Sequence, residues 1–277
     1  MEKYNDFSEV FNSLSAFSKA LNDRQINPVF KYKQSSQRND EYGSEFTTTK
    51  NYEEASELML HGDSTNLDKL VSVDGVDLSQ LRGYKKVNRQ QKAVCGGFPL
   101  VPVYLTGVPK NMLASKKIVT KTKVINIIYN ISVPCSLKAS SIVNAGANMV
   151  SIIRYLEKNG IRVNLYTIWA IWDKKSGHKC AFYVKIKDAG APLNLLNIAY
   201  PIINPSMLRR HGFKWLETIP TKIPAGDYVK GYGSPVSGAA IPDCAKKQVQ
   251  GTVLDINTLL NSDAKTVIND IIKSITI

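Results

Sequence analysis

KVINIIYNIS, Lys123 to Ser132, decides the fold: it is dense in β-branched and aromatic residues, long enough for a central strand and too short for a domain helix. Pro134 ends it, and from Ser136 to Lys158 the residues Ile142, Ala145, Met149, Ile153 and Leu156 recur on one helical face until Gly160 stops the helix. Ala145, Gly146 and Ala147 are small enough to let that helix lie close to a sheet. RVNLYTIWAIW (Arg162–Trp172) and KCAFYVKIK (Lys179–Lys187) follow as two strands joined by the turn residues 173–178, an antiparallel hairpin. The second run alternates Ala181, Tyr183 and Lys185 with Phe182, Val184 and Ile186, which suits an edge strand with one face in water.

Further on, Leu193–Ile203 and Pro205–His211 read as two helices split at Asn204 and Pro205, and Phe213–Leu216 as a short extended piece. Thr218–Asp243 reads as a long Pro/Gly loop, Val249–Ile256 as a last strand and Ala264–Ile275 as a C-terminal helix. The glycines of that loop neither follow a strand nor open a helix, so a phosphate cradle is not indicated. Upstream, Phe7, Val10, Phe11, Leu14, Phe17 and Leu21 have the spacing of one helical face, and Asn51 with Glu54 caps a second helix that ends at Gly62. Cys95–Pro109, with its glycines and prolines between apolar residues, reads as irregular and buried. The expected organisation is an acidic, mainly helical region over 1–77, a basic irregular connection over 78–122 and an α/β core over 123–277.

Charge is the second signal. Met1–Asp77 sums to −6, Leu78–Leu156 to +12 without one Asp or Glu, and Glu157–Ile277 to +7. Such a surface attracts a polyanion or an acidic protein, or it answers the acidic N-terminal region of the same chain. The basic run holds Arg82, Lys85, Lys86, Arg89 and Lys92, then Lys110, Lys116, Lys117, Lys121 and Lys123. No helix-turn-helix, zinc finger or ribonucleoprotein motif accompanies it, so sequence-specific readout is not indicated. No apolar run reaches the roughly 20 residues of a membrane span, and MEKYNDFSEVF puts acids where a secretory signal carries positive charge. A cytoplasmic protein is expected, its widely spaced Cys95, Cys135, Cys180 and Cys244 being buried or partly buried thiols.

The segments FTTTKNYEEASELMLHGD (Phe46–Asp63), GGFPLVPVYLTGVPKNM (Gly96–Met112), Lys123–Tyr166 and AYPIINPSMLRRHGFKWLETIP (Ala199–Pro220) resemble an uncharacterised family of bacteriophage and mobile-element proteins. The resemblance implies a phage or prophage origin and a host-cytoplasmic setting, and brings no activity with it. The order of elements from Lys123 onward also resembles a von Willebrand factor A-like domain: an α/β, Rossmann-like mixed sheet with one antiparallel edge strand. Such domains place a metal site after the first strand, reading Asp-x-Ser-x-Ser. Here Asn130, Ser132 and Pro134 stand at those positions, so a degenerate, metal-free loop is expected, with Asp173, Asp188 and Asp255 as the nearest acids by strand-end logic.

Arg209, Arg210 and His211, followed by Gly212, suit either an anion contact through forked guanidinium donors or a helix C-terminus whose cations complement the dipole while Gly212 caps it. His61 precedes Gly62 in the same capping context, and His178 falls in the hairpin turn, where solvation is expected. Ser132 and Cys135 follow a strand without a Gly-flanked elbow or an assignable base. Trp169, Trp172 and Trp215 suit core packing, whereas Tyr84, Tyr228 and Tyr232 sit beside cations in segments expected to be exposed. The chain thus offers no catalytic set and implies no cofactor or metal. Three functions are weighed: a non-enzymatic adaptor with a protein partner, possibly acidic; a DNA- or RNA-associated protein using Leu78–Lys123; and, with least support, a hydrolase or metal-dependent enzyme in the loops after the core strands, which would need Asn130, Ser132, Asp188 and Asp255 around one cavity.

Overall fold

In the computed structural model, which describes residues 4–39, 46–78, 86–119 and 124–276, the predicted first core strand is buried from Ile125 to Asn130 apart from half-buried Asn126. The strands are β1 (Phe7–Phe11), β2 (Lys86–Ala93), β3 (Phe98–Pro99), β4 (Met112–Val119), β5 (Val124–Asn130), β6 (Arg162–Trp172), β7 (Lys179–Lys187), β8 (Ser234–Pro235) and β9 (Thr252–Asp255). Two compact units form, Met1–Asp77 with Val124–Ile277, and Leu78–Lys123.

The larger unit is built on a mixed, mostly parallel sheet of order β1-β7-β6-β5-β9, with β8 against β6. β5 pairs parallel with β6 and with β9, β6 turns back antiparallel into β7, and β1 lies parallel to β7 at the edge. β7 is therefore not the outermost strand. Its lysines gave it a half-solvated look, but Lys185 binds Asp188, and Lys187 is buried with its Nζ donating to Glu157 at 2.7 Å.

β1 itself corrects the N-terminal reading. Phe7–Phe11 is a strand, and the helix begins only at Leu14, where the Ser13 side chain accepts the Ala16 N–H at 3.0 Å. The apolar spacing runs through both elements, which is why it mimicked one helical face. The Asn51 cap is as expected, accepting from the Glu54 N–H at 2.8 Å.

The Ala139–Lys158 helix has its small residues where predicted, but Gly146 approaches another helix. A Cβ there would stand 2.4 Å from the Ile202 carbonyl oxygen of the Leu195–Ile203 helix. The piece read as extended, Phe213–Leu216, lies in a helix, Phe213–Glu217, that continues a π-helical turn over Met207–Gly212. Gly212 holds φ −62° in mid-helix, so it caps nothing, and a Cβ there would press on the Trp169 ring at 3.3 Å. The Pro/Gly loop contains a short helix, Gly226–Gly231, and β8.

In the smaller unit β2, β4 and β3 form an antiparallel sheet of order β2-β4-β3. Its tip is not buried as expected: Val94, Phe98, Val101, Tyr104 and Leu105 are all well exposed. Three strands in so short a segment enclose too little volume to cover them.

Candidate functional site

The chain leaves β5 through the Ala139–Lys158 helix to β6 on one side, while β9 joins β5 on the other, so strand order reverses between β5 and β9. Open α/β sheets place ligands at such a reversal, outside the carboxyl ends of the strands. Here Asn130 ends β5 and Asp255 ends β9, directly opposite each other. Asn130 Nδ2 donates to Asp255 Oδ1 at 2.7 Å and to the Val236 carbonyl at 2.9 Å, while its Oδ1 accepts the Ser132 N–H at 3.0 Å. The Gly238 N–H reaches both carboxylate oxygens of Asp255 at 3.0 Å, and Ser132 Oγ accepts the Ala170 N–H at 2.7 Å. A recess of about 150 Å³ opens beside Ser132, Asp255 and Asn257.

The structure thus brings Asn130, Ser132 and Asp255 together and ties each to backbone or amide donors. Asp188 lies apart, bound to Lys185 beyond the end of β7 that pairs with the start of β6. Asp173, after β6, accepts from the Ser176 and Asp227 N–H groups and the Ser176 hydroxyl. Burial pushes its carboxyl up, and these donors together outweigh burial and hold it below the ordinary range. Among the described residues no three His, Cys, Asp or Glu side chains gather to hold a metal.

Arg210 and His211 are buried. The Arg210 guanidinium donates from Nε to Thr49 Oγ1 at 2.8 Å and from Nη2 to the Thr49 carbonyl at 2.7 Å, with Thr47 Oγ1 and the Arg38 carbonyl completing the fork. Those acceptors lie more than 160 residues away in sequence, which is why the pattern RRHG could not announce them. Ser56 Oγ donates to the Tyr52 carbonyl, so it accepts from His211 Nε2, and His211 Nδ1 accepts the Tyr200 hydroxyl at 2.8 Å. Burial, helped by the Arg210 charge, lowers His211 to about 3, so its imidazole is neutral at pH 7. Arg209 stays partly exposed, its guanidinium 4.9 Å from the Phe46 ring centre and 5.3 Å from that of Phe213.

Other expectations change as well. His178 is buried, its Nε2 2.8 Å from the Asn5 carbonyl, and Tyr228 and Tyr232 are buried, the latter donating to Glu217 Oε1 at 2.6 Å. Cys95 and Cys135 are exposed while Cys180 is buried.

Of the basic run, Arg82, Lys85, Lys121 and Lys123 lie outside the described residues, as does Tyr84. Lys86, Arg89 and Lys92 fall on β2, and Lys116 and Lys117 on β4, with Arg89 in register opposite Lys116 and Asn88 opposite Lys117. Only for Lys92 among these five is the side chain described, and it is exposed. The exposed apolar tip between β2 and β4 was missed in the sequence because its glycines and prolines suggested packed irregular chain.

A mixed α/β protein with a hydrogen-bonded strand-end loop and a separate basic β unit is the class that fold and site define. The chain belongs to the family described as Domain of unknown function (DUF7192), which matches residues 1–274. No curated protein and no solved structure matches it. No helix among the described residues is long and apolar enough to cross a membrane.

Proposed function

We propose that this is a non-enzymatic binding or adaptor protein of phage or mobile-element origin, built on a von Willebrand A-like core and acting through protein contacts in the host cytoplasm. The observation that carries the reading is the Leu78–Lys123 unit, which bears ten Lys or Arg and no Asp or Glu and exposes Phe98, Val101, Tyr104 and Leu105 at its tip. Aromatic and aliphatic side chains bordered by cations fit an apolar pocket with an acidic rim on a protein partner. The strand order β7-β6-β5-β9, with the second hairpin strand antiparallel, supports the von Willebrand-like part. Crosslinking pulldown with the whole chain from host cytoplasm tests it. A specific acidic partner, lost when Phe98, Tyr104 and Leu105 are changed together to Ser, is expected; recovery of no partner from infected or uninfected cells contradicts it.

A second reading, electrostatic contact with DNA or RNA through the same segment, is favoured by the register of β2 and β4. Arg89 stands in register opposite Lys116, which puts two basic positions side by side on the strand pair. Partly exposed Arg209 adds a candidate phosphate contact, and the donors of Arg210 are engaged inside the chain. Counterion release makes such binding fall log-linearly with salt. A salt titration against single- and double-stranded DNA and RNA separates the readings: steep, log-linear weakening that disappears on replacing Lys85, Lys86 and Arg89 supports the second, and no binding at low salt removes it.

A further inference from the structure

Beside the strand-end loop lies a larger cavity, of whose lining the two proposed functions use only Arg209. A groove of about 480 Å³ opens at the carboxyl end of β6 and runs past the chain that leaves β5. Trp169, Trp172, Phe213 and Tyr232 give it an aromatic wall, and Lys174 and Arg209 are the charged residues that line it. Among the described residues no Asp or Glu lines it, although two acids bond to its lining: Glu217 accepts from Tyr232, and Asp227 accepts the Lys174 N–H. Phe213 and Tyr232 stack with centres 4.1 Å apart, and Trp169 packs on Phe213 at 5.9 Å, so the wall is fixed before any ligand arrives. Behind Arg209 is the buried Arg210, whose hydrogen bonds all end on hydroxyl or carbonyl oxygens. Its positive charge is not cancelled by a bonded carboxylate and adds to the potential at this end of the sheet.

We propose that this groove binds a small molecule that joins a planar ring to an anionic group, the ring against the aromatic wall and the anion toward Arg209 and Lys174. The volume fits a ligand of that size, since small-molecule pockets run from roughly 300 to 1,000 Å³. A ring gains from offset or edge contact with fixed aromatic side chains, and a guanidinium prefers phosphate or carboxylate, for which it offers paired donors. The position, at the carboxyl end of a parallel strand, is where open α/β sheets take ligands.

Adenosine 5′-monophosphate and 1-naphthoate probe the two sources of such chemistry, with adenosine and inorganic phosphate as the half-ligands. Binding is read by tryptophan fluorescence and by the alkylation rate of Cys135, an exposed thiol that lines the groove, with exposed Cys95 as the internal control. At least one ring-bearing anion is expected to quench saturably and to slow alkylation of Cys135 without affecting Cys95. Adenosine and phosphate should each bind about tenfold more weakly or less, the cost of about one good ionic or stacking contact.

Gly231 lines the groove, and a Cβ there meets no atom within 4 Å, so the position accepts a side chain and Gly231→Leu adds bulk to the groove lining. That variant should abolish binding, and exposed Lys174→Gln should weaken it for the anions and leave adenosine unchanged. Failure of both ring-bearing anions to bind the wild-type chain overturns the proposal, as does binding that survives Gly231→Leu undiminished.

Discussion

The two units handle charge in opposite ways. In the larger one, cations that come near the interior find partners inside the chain: Arg24 forks onto Glu9 at 2.7 and 2.9 Å, and Lys187 and Arg162 share Glu157. Even Arg210, without a carboxylate, has its donors engaged by Thr47, Thr49, Ser36 and Arg38. The Leu78–Lys123 unit has ten cations and no acid of its own, so none of them can be neutralised within it. Buried charge in the first unit is therefore structural, whereas the charge of the second is not balanced within its own sequence, and the proposed partner contact rests on that difference.

Substitutions can break this contrast. Arg210→Met should cost about 4 kcal/mol, because it strands buried carbonyls and hydroxyls from two N-terminal segments, and urea unfolding should show a lower midpoint at an unchanged slope. Gly146→Ala should cost about 2 kcal/mol, since the added methyl has only helix backbone to displace.

Protonation gives a subtler test. His211 is held near 3 against an ordinary value of 6.5, its surroundings being Tyr52, Tyr200, Ser56 and Arg210. The unfolded chain then takes up a proton that the native chain refuses. Stability due to this site is complete above about 6.5 and falls toward pH 3, by up to about 1.4 kcal/mol per pH unit. Glu217 has the opposite sign. Burial raises its carboxyl despite the donors of Ser36 and Tyr232, so stability declines as pH rises from the ordinary carboxylate range through the raised value. From pH 7 to pH 4 the urea midpoint should fall for the wild type and fall less for His211→Gln.

Tyr129 sharpens the comparison from the other side. Among the described residues its hydroxyl is the one buried polar side-chain atom with no hydrogen-bond partner. Tyr129→Phe should therefore raise stability by about 1 kcal/mol. Replacing Lys86 and Arg89 by Gln should weaken capture of an anionic partner while changing stability by less than about 0.5 kcal/mol.

What the sequence made legible follows the range of the interactions involved. β5, the Ala139–Lys158 helix and the β6–β7 hairpin were readable because their apolar periods, Pro134 and Gly160 are local signals. β1 was hidden because Phe7, Val10 and Phe11 continue the spacing of the helix after them; Ser13, a cap three residues before Ala16, was the local clue. The pairing of Asn130 with Asp255 and the burial of Arg210 join positions 125 and more than 160 residues apart, and nothing near either residue encodes them. The exposed tip was misjudged for a different reason: whether Phe98 and Leu105 are covered depends on how much chain surrounds them, which composition alone does not state.

The central claim is that partners are held by the Leu78–Lys123 unit and not by the strand-end carboxylate. Quantitative crosslinking pulldown with two variants of the whole chain tests it most directly: Phe98, Tyr104 and Leu105 changed together to Ser, and Asp255→Asn. The account predicts that the first loses the partners captured by the wild type while the second keeps them. Partners retained by the tip variant and lost with Asp255→Asn, in a chain that still unfolds cooperatively, would contradict it.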